Sequence, residues 1–149
     1  MRQLIVLLSL LVTTVSVKAQ DAQKACAIDT KKGIASFYHD KFEGRKTATG
    51  EIFDNEKFTA ACNKLKLGTY VKVTNVSNGE VVYVKVNDRM AAGNKRLIDL
   101  AEVAAHKLGF HKKGITKVNV EVVPEEEGRL GILAQNGDAT ELLLLKNQM

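Results

Sequence analysis

Along "VVYVKVNDRM", residues 81–90, valine alternates with polar or bulky residues until the alternation stops on an acid. With the two-residue period of a strand, Val82, Val84 and Val86 share a face with Asp88, while Val81, Tyr83, Lys85 and Asn87 share the other. Similar runs predict strands over 69–76 and 117–123, the second with Val118, Val120 and Val122 on one side, and shorter strands over 33–38 and 96–98. Asn78-Gly79 stands between two of these runs. That dipeptide favours the tight turn of a hairpin, so the strands on either side of it are expected to be antiparallel neighbours.

One helix is expected. Asp99 stands before "LAEVAAHKLG" as an N-cap with Glu102 three residues on, Leu100, Val103, Ala104 and Leu108 form an apolar stripe, and Gly109 suits the C-terminal stop. Many short strands, one hairpin and one short helix predict a mainly β domain closed into a small barrel, because closure removes exposed strand edges. The lone proline, Pro124, follows the last alternating run and precedes the acidic "EEEG", which marks a domain edge. Beyond it, "ELLLL" at 141–145 admits two readings, a helix docked on the barrel or a disordered extension.

Composition changes the picture at both ends of the chain. The 149 residues, 45% hydrophobic and 26% charged, suit one globular domain. Arg2, the apolar run from Leu4 to Val12 and the small-residue site Val17-Lys18-Ala19 read as a signal peptide over 1–19, too short to span a bilayer. Export to the periplasm or the extracellular space follows. No lipid anchor is expected, because "AQKAC" lacks a leucine-led box directly after the apolar run. In an oxidising compartment Cys26 and Cys62 admit a disulfide; a buried thiol at Cys62 with Cys26 unpaired is the other reading. From residue 20 to 123 there are 18 basic and 12 acidic side chains, and from 124 onward two against five. A basic body outside the cytoplasm points to an anionic wall polymer or membrane surface rather than to nucleic acid, and charge alone equally fits a merely soluble surface.

Candidate chemistry is sparse. The chain has no glycine-rich phosphate loop and no zinc-spaced cysteines or histidines; His39, His106 and His111 are scattered, so neither metal nor cofactor is expected. Acids among polar residues remain: Glu51, Asp54 and Glu56 in "TATGEIFDNEKFTAAC", and Asp88 in "VNDR". By parity Asp88 lies against apolar neighbours, where desolvation favours a carboxyl that keeps a proton to donate; Arg89 beside it would act the other way. Each acid also has a structural reading, Asp88 as a turn cap and Glu51 as a solvated loop acid.

"GIASFYHDKFEGRKTATGEIFD", "FTAACNKLKLGTYVKVTNVSNGEVVYVKVNDR" and "RLIDLAEVAAHKLGF" resemble the rare lipoprotein A family of septal-ring lytic transglycosylases, and more distantly barwin and expansins. The resemblance implies a six-stranded double-psi β-barrel over 32–123 with one or two short helices, an N-terminal extension over 20–31 and an acidic tail over 124–149. It implies action on peptidoglycan glycan strands, cleaving between N-acetylmuramic acid and N-acetylglucosamine without water to leave a 1,6-anhydromuramyl end, with a preference for strands lacking stem peptides; a monomer is expected. Asp88 and Glu51 take the catalytic positions, and Tyr38, Asp54, Thr47 and Arg89 the substrate-binding ones. The chain departs from the family pattern where Cys62 replaces the histidine of "TAAH", where "SFYH" replaces "SWYG", and where Met90-Ala91 replace Gly-Pro after "NDR". A non-catalytic, expansin-like wall-binding module is the alternative reading.

Overall fold

The computed structural model describes residues 30–147, so the expected signal peptide and Cys26 lie outside the described residues. Six strands form a closed barrel: β1 (Thr30–Phe37), β2 (Thr59–Ala61), β3 (Tyr70–Asn75), β4 (Val81–Asp88), β5 (Ile98–Leu100) and β6 (Thr116–Val123). Their order around the barrel is β1-β5-β2-β4-β3-β6, with β6 pairing back onto β1. The pairs β1–β5 and β2–β4 are parallel and the remaining four are antiparallel. Closure leaves no open sheet edge, which is how so small a β domain avoids edge-to-edge association.

The alternating valines fill the interior. Val71 and Val73 of β3, Val82, Val84 and Val86 of β4, and Val118 and Val120 of β6 are all at most 1% exposed, and together with Ala35, Ile98 and Leu100 they form one continuous core. Burying each such side chain contributes about 1.5–3 kcal/mol, so these rows largely fix the register of the strands that carry them. β3 and β4 form the expected hairpin, Thr74 opposite Val81. Its turn closes through Gly79 N–H donating to Asn75 O at 2.8 Å, with Gly79 at φ +78°, a conformation that favours glycine.

Several expectations shift. The strand expected at 96–98 lies at Ile98–Leu100, all three residues buried. The helix α1 (Glu102–Lys107) begins after Ala101, and Asp99 is not its cap. Asp99 instead sits inside β5, 9% exposed, where Arg96 Nε and Nη2 donate to its two oxygens at 2.7 and 2.8 Å and Ser36 Oγ donates at 2.8 Å. A carboxylate with a bidentate guanidinium partner can be buried in a strand, so the capping reading loses to a tertiary ion pair. The short strand β2, within "FTAAC", has no counterpart among the expected strands. Cys62, which follows it, is fully buried in the core.

The tail is helical. α2 (Glu125–Asn136) and α3 (Ala139–Lys146) raise the number of α-helices among the described residues to three, above the one or two expected. α2 packs on β3 and β4, with Gln135 accepting from Tyr83 N–H and donating to Tyr83 O at 2.6 and 2.9 Å. The segment with two readings, 141–145, is helical in α3, which packs on α2, and it is α2 that lies against the barrel.

Candidate active site

The stretch "TATGE" is a tight turn carried by a two-stranded ladder. Lys46 bridges Ile52, Gly44 N–H donates to Phe53 O, and Phe53 N–H donates to Arg45 O. Within that frame Gly50 N–H reaches Thr47 O at 2.9 Å and Thr47 N–H reaches Glu51 O at 2.8 Å; Gly50 has φ +86°, which a side chain would strain. Thr47 is buried, and its hydroxyl donates to Glu51 O and touches Thr49 Oγ1. Thr49 N–H then ties the turn to β4 by donating to Asn87 O at 3.1 Å. The turn is thus fastened against the C-terminal end of β4, where Asp88 stands.

At that end the strand does not keep its two-residue phase. Ala60 pairs with Val86 and Ala61 with Asp88, so Asn87 is an extra residue in β4, a β-bulge. The buried row 82, 84, 86 continues onto Asn87, at 3% exposure, and Asp88 turns out to the half-buried rim. This corrects the expectation from parity: the acid does not end an inward row, because the bulge shifts the phase one residue before it.

The bulge brings Glu51 and Asp88 into one hydrogen-bonded patch. Asn87 Nδ2 donates to Glu51 Oε2 at 2.8 Å, Lys85 Nζ pairs with Glu51 Oε1 at 3.0 Å and Thr49 Oγ1 donates at 3.2 Å. These partners, the Asn87 amide first and Lys85 next, hold the Glu51 carboxyl below the usual glutamate range, so it is ionised at neutral pH. Asp88 receives three donors of two kinds. Backbone N–H groups of Ala48 and Arg89 both donate to Oδ1, at 2.9 and 2.8 Å, while the Tyr38 hydroxyl donates to Oδ2 at 2.8 Å.

Tyr38 follows β1 and is held by aromatic contacts, its ring centroid 4.4 Å from that of Phe53 and 5.7 Å from that of Phe42. Burial, and then its bond to Asp88, push the phenol well above its ordinary range, so it stays protonated. The remaining sequence candidates have partners within the chain. Arg89 sends its guanidinium to the Cys62 carbonyl rather than to Asp88, fastening the end of β2 beside the bulge. Asp54 caps its own turn, accepting from Glu56 N–H at 2.9 Å and pairing with Lys57 at 3.5 Å. Asn87, which the sequence reading left out of the site, links the two acids through adjacent residues of one strand. A polar residue next to the acid in "VND" was the available signal.

None of Glu51, Asp54 or Asp88 lines the cavity of about 500 Å³ that lies beside Tyr83 and α2. Glu51 is exposed and Asp54 and Asp88 are half-buried, so all three carboxyls can be reached from solvent.

The closed six-stranded barrel is a double-psi β-barrel, the fold of the family and the solved structures that follow. The chain belongs to the lytic transglycolase family, whose model matches residues 30–120. It is 45% identical over 93 residues to the endolytic peptidoglycan transglycosylase RlpA of Haemophilus influenzae, covering 62% of this chain and 32% of that protein. It is 40% identical over 139 residues to the protein of the same name from Pasteurella multocida, covering 87% of this chain and 47% of the relative. The chain therefore spans from about a third to about a half of the length of these relatives. Among solved structures it is similar to the Streptomyces papain inhibitor, at TM-score 0.52 and 25% identity, covering 66% of this chain and 98% of that one. An expansin from Clavibacter michiganensis shares the fold at TM-score 0.51 and 24% identity, covering 64% of this chain and 50% of that one.

Proposed function

We propose that the protein is an exported lytic transglycosylase that cleaves peptidoglycan between N-acetylmuramic acid and N-acetylglucosamine and leaves a 1,6-anhydromuramyl end. The family membership and the relatives named as endolytic peptidoglycan transglycosylases support the reaction class. Site carboxyls that can be reached from solvent fit an endolytic action, since a strand can be entered anywhere along its length. Among the described residues no helix is long and apolar enough to cross a membrane.

The observation that carries the mechanism is the asymmetry of donors at Asp88. Oδ1 accepts from two backbone N–H groups, which cannot reverse and so keep that oxygen an acceptor. Oδ2 accepts from a tyrosine hydroxyl, which can rotate and become the acceptor instead. A proton on Asp88 therefore belongs on Oδ2. From there it passes to the glycosidic oxygen as the bond from that oxygen to C1 of the muramyl residue breaks. The muramyl C6 hydroxyl oxygen then bonds to C1 and returns its proton to Oδ2, which restores the acid without consuming water. Glu51, kept ionised by Asn87 and Lys85, faces the positive charge that develops at the sugar ring and stabilises it. A preference for strands without stem peptides is part of this proposal and rests on the resemblance to the family alone.

Incubation of the protein with amidase-treated glycan strands, followed by mass spectrometry, tests this reading. Anhydromuramyl products are expected from the native chain and not from Asp88→Asn, with strand binding retained in the variant. Strand binding by the native chain with no anhydro product would sink the enzyme reading and leave the expansin-like binding module.

A further inference from the structure

Three side chains outside the acidic rim converge at the corner between α1 and β6. Glu102 and His106 are four residues apart on α1, so they leave the same face of the helix. The chain reverses at Gly109, and one 3-10 turn, His111–Lys113, brings His111 back against that face. His111 Nε2 lies 2.6 Å from Glu102 Oε1, His106 Nε2 lies 3.7 Å from the same oxygen, and the two imidazoles stack with centroids 3.8 Å apart. One ligand atom from each of the three residues falls within 4.8 Å of the others. The linear sequence hid this cluster, because the turn at Gly109 is what turns scattered histidines into neighbours.

Two imidazole nitrogens and one carboxylate oxygen are a zinc donor set that leaves a position for water. Zinc bonds of about 2.0–2.2 Å put the donor atoms of a tetrahedral site about 3.3–3.6 Å apart, and the observed 2.6 and 3.7 Å bracket that spacing. An ion would enter by parting Glu102 from His111 by less than 1 Å or so and by swivelling the stacked rings until their nitrogens converge. The surroundings allow it. His106 is exposed on the side away from its stack with His111, whereas the other face of His111 rests on Phe37, centroids 4.7 Å apart, and Glu102 N–H is anchored to Asn55 Oδ1 at 3.2 Å. One exposed and two supported ligands make a site that an ion can enter from solvent. Phe37 supports this corner while its neighbour Tyr38 serves Asp88, so the two sites use different side chains throughout.

We propose that Glu102, His106 and His111 bind a divalent transition-metal ion of the zinc class, with water completing its coordination, at a site separate from the acidic rim. Lys107, Lys112 and Lys113 flank the ligands in sequence, and their charge weakens the site relative to all-cysteine structural zinc centres.

The test is titration of the untagged full chain with Co²⁺, read by its visible absorption, and with Zn²⁺, read by competition with a chromophoric chelator. One equivalent is expected, with affinity falling about tenfold or more in His106→Ala and in His111→Gln, while His39→Ala binds as the native chain does. His106 is exposed, so its replacement keeps the fold, and circular dichroism verifies this for both variants. Stoichiometric binding that survives both replacements would place the ion elsewhere and overturn the proposal. Absence of binding by the native chain at millimolar metal would overturn it as well.

Discussion

Gly128→Ala sets two known effects against each other with opposite signs. In a free or loosely attached helix, alanine in place of an interior glycine stabilises by about 1 kcal/mol. In α2, however, a methyl built on Gly128 would lie 2.3 Å from Tyr70 Cβ and 2.6 Å from two of its ring atoms, far inside van der Waals contact. Overpacking of this kind costs about 1–3 kcal/mol, and the cost falls near the upper end because Tyr70 Cβ is fixed by its strand and cannot swing aside. The net expectation is a loss of about 1–2 kcal/mol, which at roughly 2–4 °C per kcal/mol lowers the melting temperature by several degrees. Gly131 repeats the arrangement against Tyr83, with a methyl 2.4 Å from Cγ. The double replacement is expected to plateau rather than add, because once α2 lifts off β3 and β4 the second methyl meets nothing. Urea and thermal denaturation, with hydrogen exchange along α2, read the outcome. A Gly128→Ala variant more stable than the native chain would show that helix propensity acts alone and that α2 does not rest on the barrel.

Two further outcomes follow from the rim. Tyr38, whose folded-state pKa is raised, contributes stability fully present below the unfolded phenol value of about 10 and lost as pH climbs above it. Alkaline titration followed by tyrosine absorbance should show Tyr38 ionising last, with unfolding, and Tyr38→Phe should delete that final step; a normal early titration of all three tyrosines would refute the assignment. Glu51 has the reverse sign: its folded pKa is depressed, so its contribution is present above about 4.5 and lost as pH falls through the lower folded value. Because Glu51 is largely exposed, the effect is small and salt-screened, and the stability gap between the native chain and Glu51→Gln should narrow from pH 6 to pH 3 and at high salt. A gap unchanged across that range would remove the charged role of Glu51.

What the sequence disclosed and what it concealed divide along a physical line. The β3–β4 hairpin and β6 were legible because their signals are local, a period of two in Val71 to Val84 and Val118 to Val122 and a turn glycine at 79. β2 was missed and β5 was placed two residues early, since a strand of three residues is too short to show a period of two. Asp99 misled for a related reason: its spacing to Glu102 matches a capping box, yet its partners include Ser36, 63 residues away, which no local window contains. The candidate acids could be named from "TATGE" and "VNDR", but their working geometry could not. The bulge at Asn87 exists only in the pairing of β4 with β2, so the pattern of β4 alone places Asp88 on the wrong face. The difference between Asp88 Oδ1 and Oδ2 is further still from the side-chain code, since two of its three donors are backbone N–H groups that any residue at 48 or 89 other than proline could supply. If that asymmetry selects the oxygen that carries the proton, replacement of Ala48 by another small residue should leave cleavage intact, whereas loss of the Tyr38 hydroxyl should impair it. The proton-carrying geometry then resides in the fold of the turn, and the sequence specifies it only through Gly50 and Thr47, which hold the turn in place.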